Sequence, residues 1–554
     1  MAAANLPQDI LYAVFKALAD LDPVGSASPY GWIRQTTHVC RAWRTAALEQ
    51  AELWAEIVCA FESPSVTDLL LERARTAPLV FQTTLASQYG TLTQHQLNLA
   101  VQNIEIVRVL AHSAAYPPLS AVFDGRTLPR LEDLSVAQIQ PESTPSLPIL
   151  HTLSLHFCCF PVRAPQLRFL SLQLGEPRIG RAALTMLGIL SQAPLLEELY
   201  IADMPHTSRA ELAPHPEVHL EHLQVLHISS AFFDDAFWRK LVLPEKLDVD
   251  LNVYNEYHEP YERDVDPSEI FAAASRQLSV EGLDSLSIVE DRRREDGDGV
   301  HLIVKLWSSS SDLSQSAPAF HLDAKVRLYA EDDPDLERDL EALLVHLNSE
   351  RISHIDIGGL PNFYEEVPMR RILAPLSGVQ AAILNYDAEH LELLLPRIDE
   401  EGDGEEAGAG GIFPALRHLT IVDFPYTEKD PGRMARDWAP ILSLLQTRHQ
   451  SECSIRTFTL NRRDTGYADP QAGYTAWSKI EQRYAPWIER ARAYTEVVIK
   501  SSGAAGDDDN DEETEYDWHI AGPAYRPVPA PDVGLGPHLS LEDSDSDSEW
   551  VEDE

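Results

Sequence analysis

The sequence has little lysine and a large excess of acid, and this balance excludes two classes of partner. Eight lysines and 36 arginines make up its 44 basic residues, against 88 aspartates and glutamates, for a formal net charge of −44 over 554 residues. Nucleic acids and anionic membranes are bound through basic surface that displaces counterions. We therefore expect neither a nucleic acid nor a membrane as a partner.

Cysteine is equally scarce, and no pattern of reactive residues is typical of an enzyme. The five cysteines (Cys40, Cys59, Cys158, Cys159 and Cys453) have no paired spacing, which argues against a disulfide framework and against a zinc template. The 20 histidines are scattered, and the sequence holds no phosphate-binding glycine loop, no H-E-x-x-H and no G-x-S-x-G. We expect a non-catalytic protein with no metal and no cofactor.

Long hydrophobic runs are also missing. No apolar stretch approaches the ~20 residues that a membrane-spanning helix needs, and the opening MAAANLPQDILYAVF lacks the basic region of a signal peptide. With 44% hydrophobic residues the chain can nevertheless bury a core, so it is not wholly disordered. We expect a soluble intracellular protein, located in the cytoplasm, the nucleus or both.

The acidic charge is concentrated at one end of the chain. Residues 501–554 hold 17 acidic residues and a single arginine, together with a proline-rich stretch, and such a segment has little to bury. We predict a disordered acidic tail. Ser540, Ser544 and Ser546 each have an acidic residue three positions on, a spacing that resembles acidophilic kinase sites. These serines are either phosphorylation sites or part of a plain solvated tail.

The first sixty residues predict a small helical module. Asn5-Leu6-Pro7 is typical of a helix start, and apolar residues then recur at helical spacing, as Ile10, Leu11, Val14, Phe15 and Leu18. After two turn-forming stretches, a second helix is predicted from about Ile33 to Glu49, and a short third segment holds Leu53, Trp54 and Ile57. This much apolar surface on so short a module indicates either a cap on the following domain or a docking site.

Three motifs in this module resemble an F-box. They read Leu6-Pro7-x-Asp9-Ile10-Leu11-x-x-Val14-Phe15-x-x-Leu18, then Val39-Cys40-Arg41-x-Trp43-Arg44, then Leu53-Trp54. The stretch between the first two motifs is longer than usual, which is similar to the expanded F-box families of mushroom-forming fungi. The resemblance implies docking on the Skp-type adaptor of a cullin–RING ubiquitin ligase. The contact positions it implies, each of which also serves packing within the module, are Leu6, Pro7, Ile10, Leu11, Val14, Val39, Cys40 and Trp43.

A degenerate repeat, x-Leu-x-x-Leu-x-(Leu/Ile/Val), recurs through the next 400 residues. Its clear copies begin at Leu131, Leu150, Leu167, Leu196, Leu223, Leu283 and Leu416, and weaker copies begin at Ile104, Ile352, Val379 and Ile455. The Leu-x-Leu part predicts a short strand with two buried side chains, and helical stretches separate the copies. We interpret this as a divergent leucine-rich-repeat solenoid with a parallel sheet on its concave face, an ordinary α/β domain being the alternative. The asparagine usual after the strand is mostly missing, so we expect irregular loops, and the wide gaps between later copies are interpreted as insertions.

The predicted organisation is therefore α/β with four parts. Residues 1–60 form a three-helix F-box-like module, 61–465 the solenoid with insert loops, 466–500 a helical segment and 501–554 the acidic tail. Polar side chains between the buried positions should line the sheet surface and grip a protein, or else be merely solvated. The residues predicted for this surface are His156, Gln173, Tyr200, His227, Asp356 and Asn461.

The function expected from these features is substrate recognition within a ubiquitin ligase of the cullin–RING (SCF) type. The F-box would bind the Skp-type adaptor, and through it the cullin scaffold, while the repeats would bind a protein substrate. The large negative charge favours a basic substrate through electrostatic steering. A protein-interaction scaffold that uses the same repeats without a ligase is the alternative hypothesis.

Overall fold

The computed structural model describes residues 6–500, apart from 26–27, 29, 83–90, 175–181, 204–208, 231–234, 254–266, 291–299, 309–322, 331–332, 360–365, 387–390, 392, 396–411, 423, 425–430 and 462–483. The predicted tail with Ser540, Ser544 and Ser546 lies outside the described residues. No helix among the described residues is long and apolar enough to cross a bilayer.

Helices occupy the N-terminal region and most connections between strands. Their bounds are α1 Gln8–Leu21, α2 Gly31–Thr37, α3 Arg41–Glu49, α4 Ala51–Glu56, α5 Pro64–Ala74, α6 Gln94–Gln102, α7 Pro117–Phe123, α8 Ala182–Ser191, α9 Arg209–Leu212, α10 Asp235–Trp238, α11 Pro267–Leu278, α12 Asp333–Val345, α13 Glu366–Leu373, α14 Pro431–Gln450 and α15 484–492.

Strands follow the repeated Leu-x-Leu phrase. Their bounds are β1 Leu79–Phe81, β2 Val107–Ala115, β3 Asp133–Ala137, β4 Thr152–His156, β5 Phe169–Gln173, β6 Glu198–Ala202, β7 Val218–His219, β8 Val225–Ser230, β9 Leu241–Val242, β10 Asp248–Val253, β11 Ser285–Glu290, β12 Val300–Trp307, β13 Asp323–Ala330, β14 His354–Gly359, β15 Ala381–Asn385, β16 His418–Val422, β17 Thr457–Asn461 and β18 Glu496–Lys500.

One large sheet organises the molecule. Its sixteen described strands run in the order β1-β2-β3-β4-β5-β6-β8-β10-β13-β12-β11-β14-β15-β16-β17-β18. The leucines of neighbouring copies pair in register, for example Leu153 with Leu170 and Leu155 with Leu172, and all four side chains are buried. This arrangement is the predicted mixed α/β architecture with a large parallel sheet, and it is consistent with a repeat solenoid.

The sheet reverses direction at its centre. Strand β12 pairs antiparallel with both β11 and β13, and β13 then pairs parallel with β10. Strands β10 and β11 are therefore consecutive in the main sheet's chain order but separated by two strands in space. The wide gaps in the leucine pattern, interpreted above as insertions, contain three strands of the sheet (β10, β12 and β13).

The turns that leave the strands are more regular than the missing asparagines predicted. Gln138, Phe157 and Asp203 each follow a strand directly and adopt left-handed backbone, with φ of 53°, 54° and 56°. Each donates its N–H to a carbonyl near the end of the next strand, at 2.9, 2.6 and 2.9 Å. The expectation of irregular loops is wrong at these positions, because the backbone bond makes the same turn without a particular side chain.

The predicted helix from Ile33 to Glu49 is two helices, α2 and α3. Thr37 donates its hydroxyl back to the Ile33 carbonyl at 2.6 Å, and Arg44 Nε donates to the Thr37 carbonyl at 2.9 Å. Cys40, the residue directly before α3, is fully extended, with φ of −160°. A threonine that bonds to the carbonyl four residues back competes with helix propagation, so the chain stops, turns and restarts.

No break in packing separates the helical module from the sheet. Trp54 packs on Trp32 with ring centroids 5.3 Å apart, donates its indole N–H to the Ala47 carbonyl at 2.9 Å, and lies beneath the Arg73 guanidinium at 4.7 Å. One continuous set of buried side chains runs from Leu11 through the sheet to the C-terminal strands. The predicted boundary at residue 60 thus falls inside a shared core.

The C-terminal segment predicted as helical is helical only in part. Among the described residues of 466–500, a helix covers 484–492 and the chain then forms β18, which pairs parallel with β17. The run Val497-Val498-Ile499 is β-branched and favours a strand over a helix.

A buried histidine gives the fold a pH-dependent contribution to stability. His112 is 4% exposed on β2, and its Nδ1 accepts the Leu92 N–H at 3.2 Å while the ring lies edge-on to Tyr116. Burial lowers the pKa of His112 from its ordinary value. The unfolded chain therefore binds this proton more readily than the folded one.

We expect the free energy of unfolding to decrease as pH falls below about 6.5, the ordinary histidine pKa. The contribution of His112 is fully present above that pH and is lost as pH falls toward its lowered folded-state pKa. Urea denaturation at pH 7.5 and pH 5.5 measures the change. The variant His112→Gln keeps an acceptor for Leu92 but cannot titrate, so its stability should fall less over this range. An identical loss in both proteins would contradict the prediction.

Candidate protein-interaction surfaces

Helix α1 presents apolar residues on two faces. Leu11 and Phe15 are 5% and 0% exposed and point into the core, whereas Ile10 is 46% and Leu21 is 81% exposed. At about 100° per residue, Ile10, Val14 and Leu21 fall within about 40° of one another, to one side of the buried face. We call these three residues the α1 stripe.

Exposed apolar side chains are concentrated in this module. Nine large hydrophobic residues are exposed among the described residues, and six of them lie within the first 48 positions: Leu6, Ile10, Leu21, Tyr30, Val39 and Leu48. The other three are Leu69, Phe157 and Val345. Single exposed hydrophobics are ordinary on a protein surface, but a concentration of them marks an interaction surface.

The positions implied by the F-box resemblance divide by exposure. Four are exposed (Leu6, Pro7, Ile10 and Val39), three are half-buried (Val14, Cys40 and Trp43), and Leu11 is buried. The Trp43 ring packs edge-on against Phe15, with centroids 5.3 Å apart. Leu11 therefore serves the core, and Trp43 contributes to both the core and the surface.

Polar contacts fix the orientation of α1 on its neighbours. Gln8 Nε2 donates to Glu49 Oε2 at 3.2 Å, and the Tyr12 hydroxyl donates to the Glu52 carboxylate. The hydrogen bond from Tyr12 to Glu52, with a smaller contribution from burial, raises the pKa of Tyr12 to about 12. These bonds tie α1 to α3 and α4, so the α1 stripe is held in a defined direction.

The second surface is the face of the sheet opposite the buried leucines. Because side chains alternate along a strand, every second residue faces outward, and register aligns these residues into rows. One row crosses the sheet through Ser135, Ser154, Ser171, Tyr200, His227, Asp250, Lys325, Lys305, Ser287, Asp356, Ile383, Thr420 and Thr459. The face is polar along most of its width.

The predicted surface residues form two small groups and two isolated positions. His156 lies between Ser135 and Gln173, with its ring nitrogens 3.4 Å from Ser135 Oγ and 3.3 Å from Gln173 Oε1. Tyr200 and His227 are cross-strand neighbours whose ring centroids are 5.7 Å apart. These four predicted residues therefore lie on four neighbouring strands, β4, β5, β6 and β8.

Asp356 and Asn461 lie elsewhere on the sheet. Asp356 is five strands from His227, and its Oδ1 accepts the Gly358 N–H at 2.9 Å. Burial raises the pKa of Asp356, opposed by that backbone bond and by the charge of Lys305. Asn461 ends β17, where its backbone is opposite Lys500, and its side chain lies outside the described residues.

Several residues of this face were not predicted from the sequence. Phe169 and Glu198 occupy the first position of β5 and β6, directly before the Leu-x-Leu phrase used to find each strand. Asp250, Lys305 and Lys325 lie on the strands that the leucine pattern missed. The alternation in Asp248-Val-Asp-Leu-Asn-Val253 is the signal that identifies β10.

Comparison with known proteins adds little to this geometry. No protein-family model matches the chain, and no curated protein matches it. Among solved structures, the leucine-rich repeat-containing protein LegL7 from Legionella pneumophila is similar over 61% of this chain and 76% of its own, at 11% identity and a TM-score of 0.26. At that level of superposition, the description of the fold rests on the strand register given above.

Proposed function

We propose that this protein is the substrate-recognition subunit of an SCF-type ubiquitin ligase. Its helical module, within residues 1–60, binds a Skp-type adaptor, and a divergent leucine-rich-repeat solenoid binds a protein substrate on the outward face of its sheet. The observation that carries the proposal is the coincidence of the exposed apolar residues with the F-box-like motifs. The subunit itself makes and breaks no bonds.

The exposure of Leu6, Ile10 and Val39 supports an external partner. Each is a large apolar side chain that the folded chain leaves partly in water, although the same short module buries Phe15 completely and Leu11 almost completely. These residues are 38%, 46% and 53% exposed, so covering the remainder of each contributes about 1 kcal/mol, roughly half of what full burial of such a side chain provides. A helical partner that fits along the α1 stripe and reaches Val39 would recover this free energy.

The shared core supports a role in which the module positions the sheet. A ligase receptor acts by proximity, since it raises the effective concentration of substrate lysines near the conjugating enzyme. Such a mechanism requires the adaptor-binding and substrate-binding surfaces to keep a fixed relation. Packing of Trp54 on α4 against Arg73 on α5, within the core that the module shares with the sheet, provides that relation.

We expect Ile10→Ser to reduce capture of a purified Skp-type adaptor by about tenfold or more, because centrally placed apolar contacts dominate interface energies. The side chain is 46% exposed, so stability should change little. Leu69→Ser is a matched control, since Leu69 on α5 is similarly exposed at 43% and lies outside the motifs. Immobilised adaptor and surface plasmon resonance provide the measurement. Equal adaptor affinity for wild type and both variants would refute the adaptor site.

An interaction scaffold without a ligase is the second candidate, favoured by the width of the polar sheet face itself. The sixteen described strands form one sheet, and its polar face can bind a protein whether or not an adaptor is present. Co-purification separates the two functions: recovery of cullin with the full-length chain supports the ligase subunit, and a partner set that lacks cullin supports the scaffold.

A further inference from the structure

Three aromatic rings lie side by side on the outward face of β5, β6 and β8. The rings of Phe169 and Tyr200 have centroids 5.2 Å apart with planes inclined by 33°, and those of Tyr200 and His227 are 5.7 Å apart at the same inclination. All three residues are half-buried, so part of each ring meets solvent. We call Phe169, Tyr200 and His227 the aromatic platform.

Carboxylates lie on two sides of this platform. The Tyr200 hydroxyl donates to Glu198 Oε2 at 3.3 Å, and His227 Nδ1 lies 3.1 Å from Asp250 Oδ2. The side chains of His227 and Asp250 are 24% and 27% exposed, so this pair is partly withdrawn from water. Rings with electron-rich faces and acidic neighbours create a region of negative potential.

We propose that the aromatic platform binds arginine side chains in an extended basic segment of a protein partner; the assignment rests on the sheet face being the substrate surface proposed above. A guanidinium stacks on aromatic rings and simultaneously donates forked hydrogen bonds to a carboxylate. Glu198 provides the acceptor, Asp250 adds negative charge beside His227, and the rings provide the stacking surface. An ammonium group matches this arrangement less well, because it is a compact, strongly hydrated point charge.

The next strands set a limit to the basic segment. Lys325 is the register neighbour of Asp250, and Lys305 is the register neighbour of Lys325, so two of the eight lysines of the chain adjoin one another on this face. Like charges directly opposite in a sheet are unfavourable and repel a further cation. Lys305 lies four strands from Tyr200, about 19 Å at ~4.8 Å per strand. An extended peptide spans that distance in about six residues. We therefore expect a favoured partner to carry an acidic residue about six positions from the bound arginine, where it would meet the two lysines.

Fluorescence anisotropy with three labelled peptides tests the assignment on the full-length chain at physiological salt. The probes are twelve-residue Ser-Gly peptides that carry two arginines, two lysines or neither. We expect the arginine peptide to bind, the lysine peptide to bind about threefold or more weakly, and the neutral peptide not to bind. Tyr200→Leu and Asp250→Asn should each weaken arginine-peptide binding by about threefold or more, the size of one exposed cation–π or ionic contact.

Matched controls separate the platform from the general negative charge. Phe157→Leu removes an exposed ring outside the platform, and Asp133→Asn removes one carboxylate from the first position of β3 on the same sheet. Both should bind the arginine peptide like wild type. Arginine and lysine peptides of equal affinity, or equal weakening by control and platform variants, would overturn the proposal.

The peptide-binding result can be distinguished from a failure of the ligase proposal. Tyr200→Leu should capture the Skp-type adaptor as wild type does, because Tyr200 lies on β6, remote in the strand order from the helical module that precedes β1. If the wild-type chain binds no adaptor but the platform variants selectively lose arginine-peptide binding, the platform proposal stands and the ligase proposal is rejected. If the chain captures the adaptor but binds arginine and lysine peptides equally, the ligase proposal stands and the platform proposal is rejected.

Discussion

Replacing Arg448 with methionine should lower the free energy of unfolding by about 3 kcal/mol or more, because a buried carbonyl that loses its donor costs about 1–3 kcal/mol. Arg448 lies on α14 and is 3% exposed, and burial lowers its pKa. Its guanidinium donates to four carbonyls, those of Leu394, Ile412, Phe413 and Cys453, at 3.3, 3.3, 2.7 and 3.3 Å.

The loss is large because three of these acceptors belong to buried residues. The carbonyls of Leu394 and Ile412 would lose a charged donor, and that of Phe413 would keep only the Leu416 N–H. Lysine cannot substitute, since one ammonium group lacks the planar fork that reaches carbonyls on several sides. Arg448→Lys should therefore recover only a small part of the loss.

Denaturation in urea, followed by circular dichroism, measures the effect. Arg436→Met is the matched control, because Arg436 lies on the same helix and is exposed, and its substitution should change stability by less than about 0.5 kcal/mol. A loss for Arg448→Met as small as that of the control would show that the four hydrogen bonds contribute little.

Gly31→Ala should destabilise the helical module by about 3 kcal/mol or more, a combination of backbone strain and steric overlap. Gly31 adopts φ of +35°, which side chains disfavour, and a Cβ there would lie 2.5 Å from the Asp22 carbonyl oxygen and 2.8 Å from Pro23 C and O. That backbone cannot retreat easily, because Asp22 O accepts the Trp32 N–H at 2.8 Å and Trp32 is 1% exposed.

Hydrogen exchange over residues 8–56 is the direct measurement. Gly188→Ala is the control, since Gly188 in α8 has open space around the added Cβ and should gain about 0.5–1 kcal/mol from its helical position. Gly31→Ala should also lose adaptor binding, because the α1 stripe would no longer be held on α3 and α4. Unchanged exchange protection in the module would contradict this account.

The sequence predicts the strands that keep the spacing of the repeat, clearly where the buried pairs are leucines and weakly where they are other apolar residues. It misses β10, β12 and β13, which lack the first apolar residue of the repeat. Leu153 with Leu155 and Leu170 with Leu172 mark strands because period-two alternation in leucine stands out from the intervening helices. Strand β10 buries Val249 and Leu251 instead, and β12 and β13 follow inserts without the usual opening proline. The break between α2 and α3 depends on hydroxyl bonds from single threonines, which periodicity does not register.

The sequence predicts which residues of a strand face outward, but it does not predict which of them contact one another across strands. Tyr200 and His227 follow from alternation, since each lies between two buried positions of its own strand. Their contacts with Phe169 and Asp250 depend on register, and on β10 lying beside β8, neither of which one sequence reveals. The same holds for Arg448, because three of its four acceptors, the carbonyls of Leu394, Ile412 and Phe413, lie 35 or more residues away in the chain.

The reversal at β12 has a consequence for how the chain folds during synthesis. A simple solenoid grows by adding each new strand to the last edge formed, so local contacts suffice. Here β11 emerges while the edge of β10 is still open, yet in the native sheet β13 occupies that edge. Until β12 and β13 are made, β11 can therefore pair with the open edge of β10, and that premature pairing is a trap that this topology permits. Chains that end before β13 should accumulate in that state.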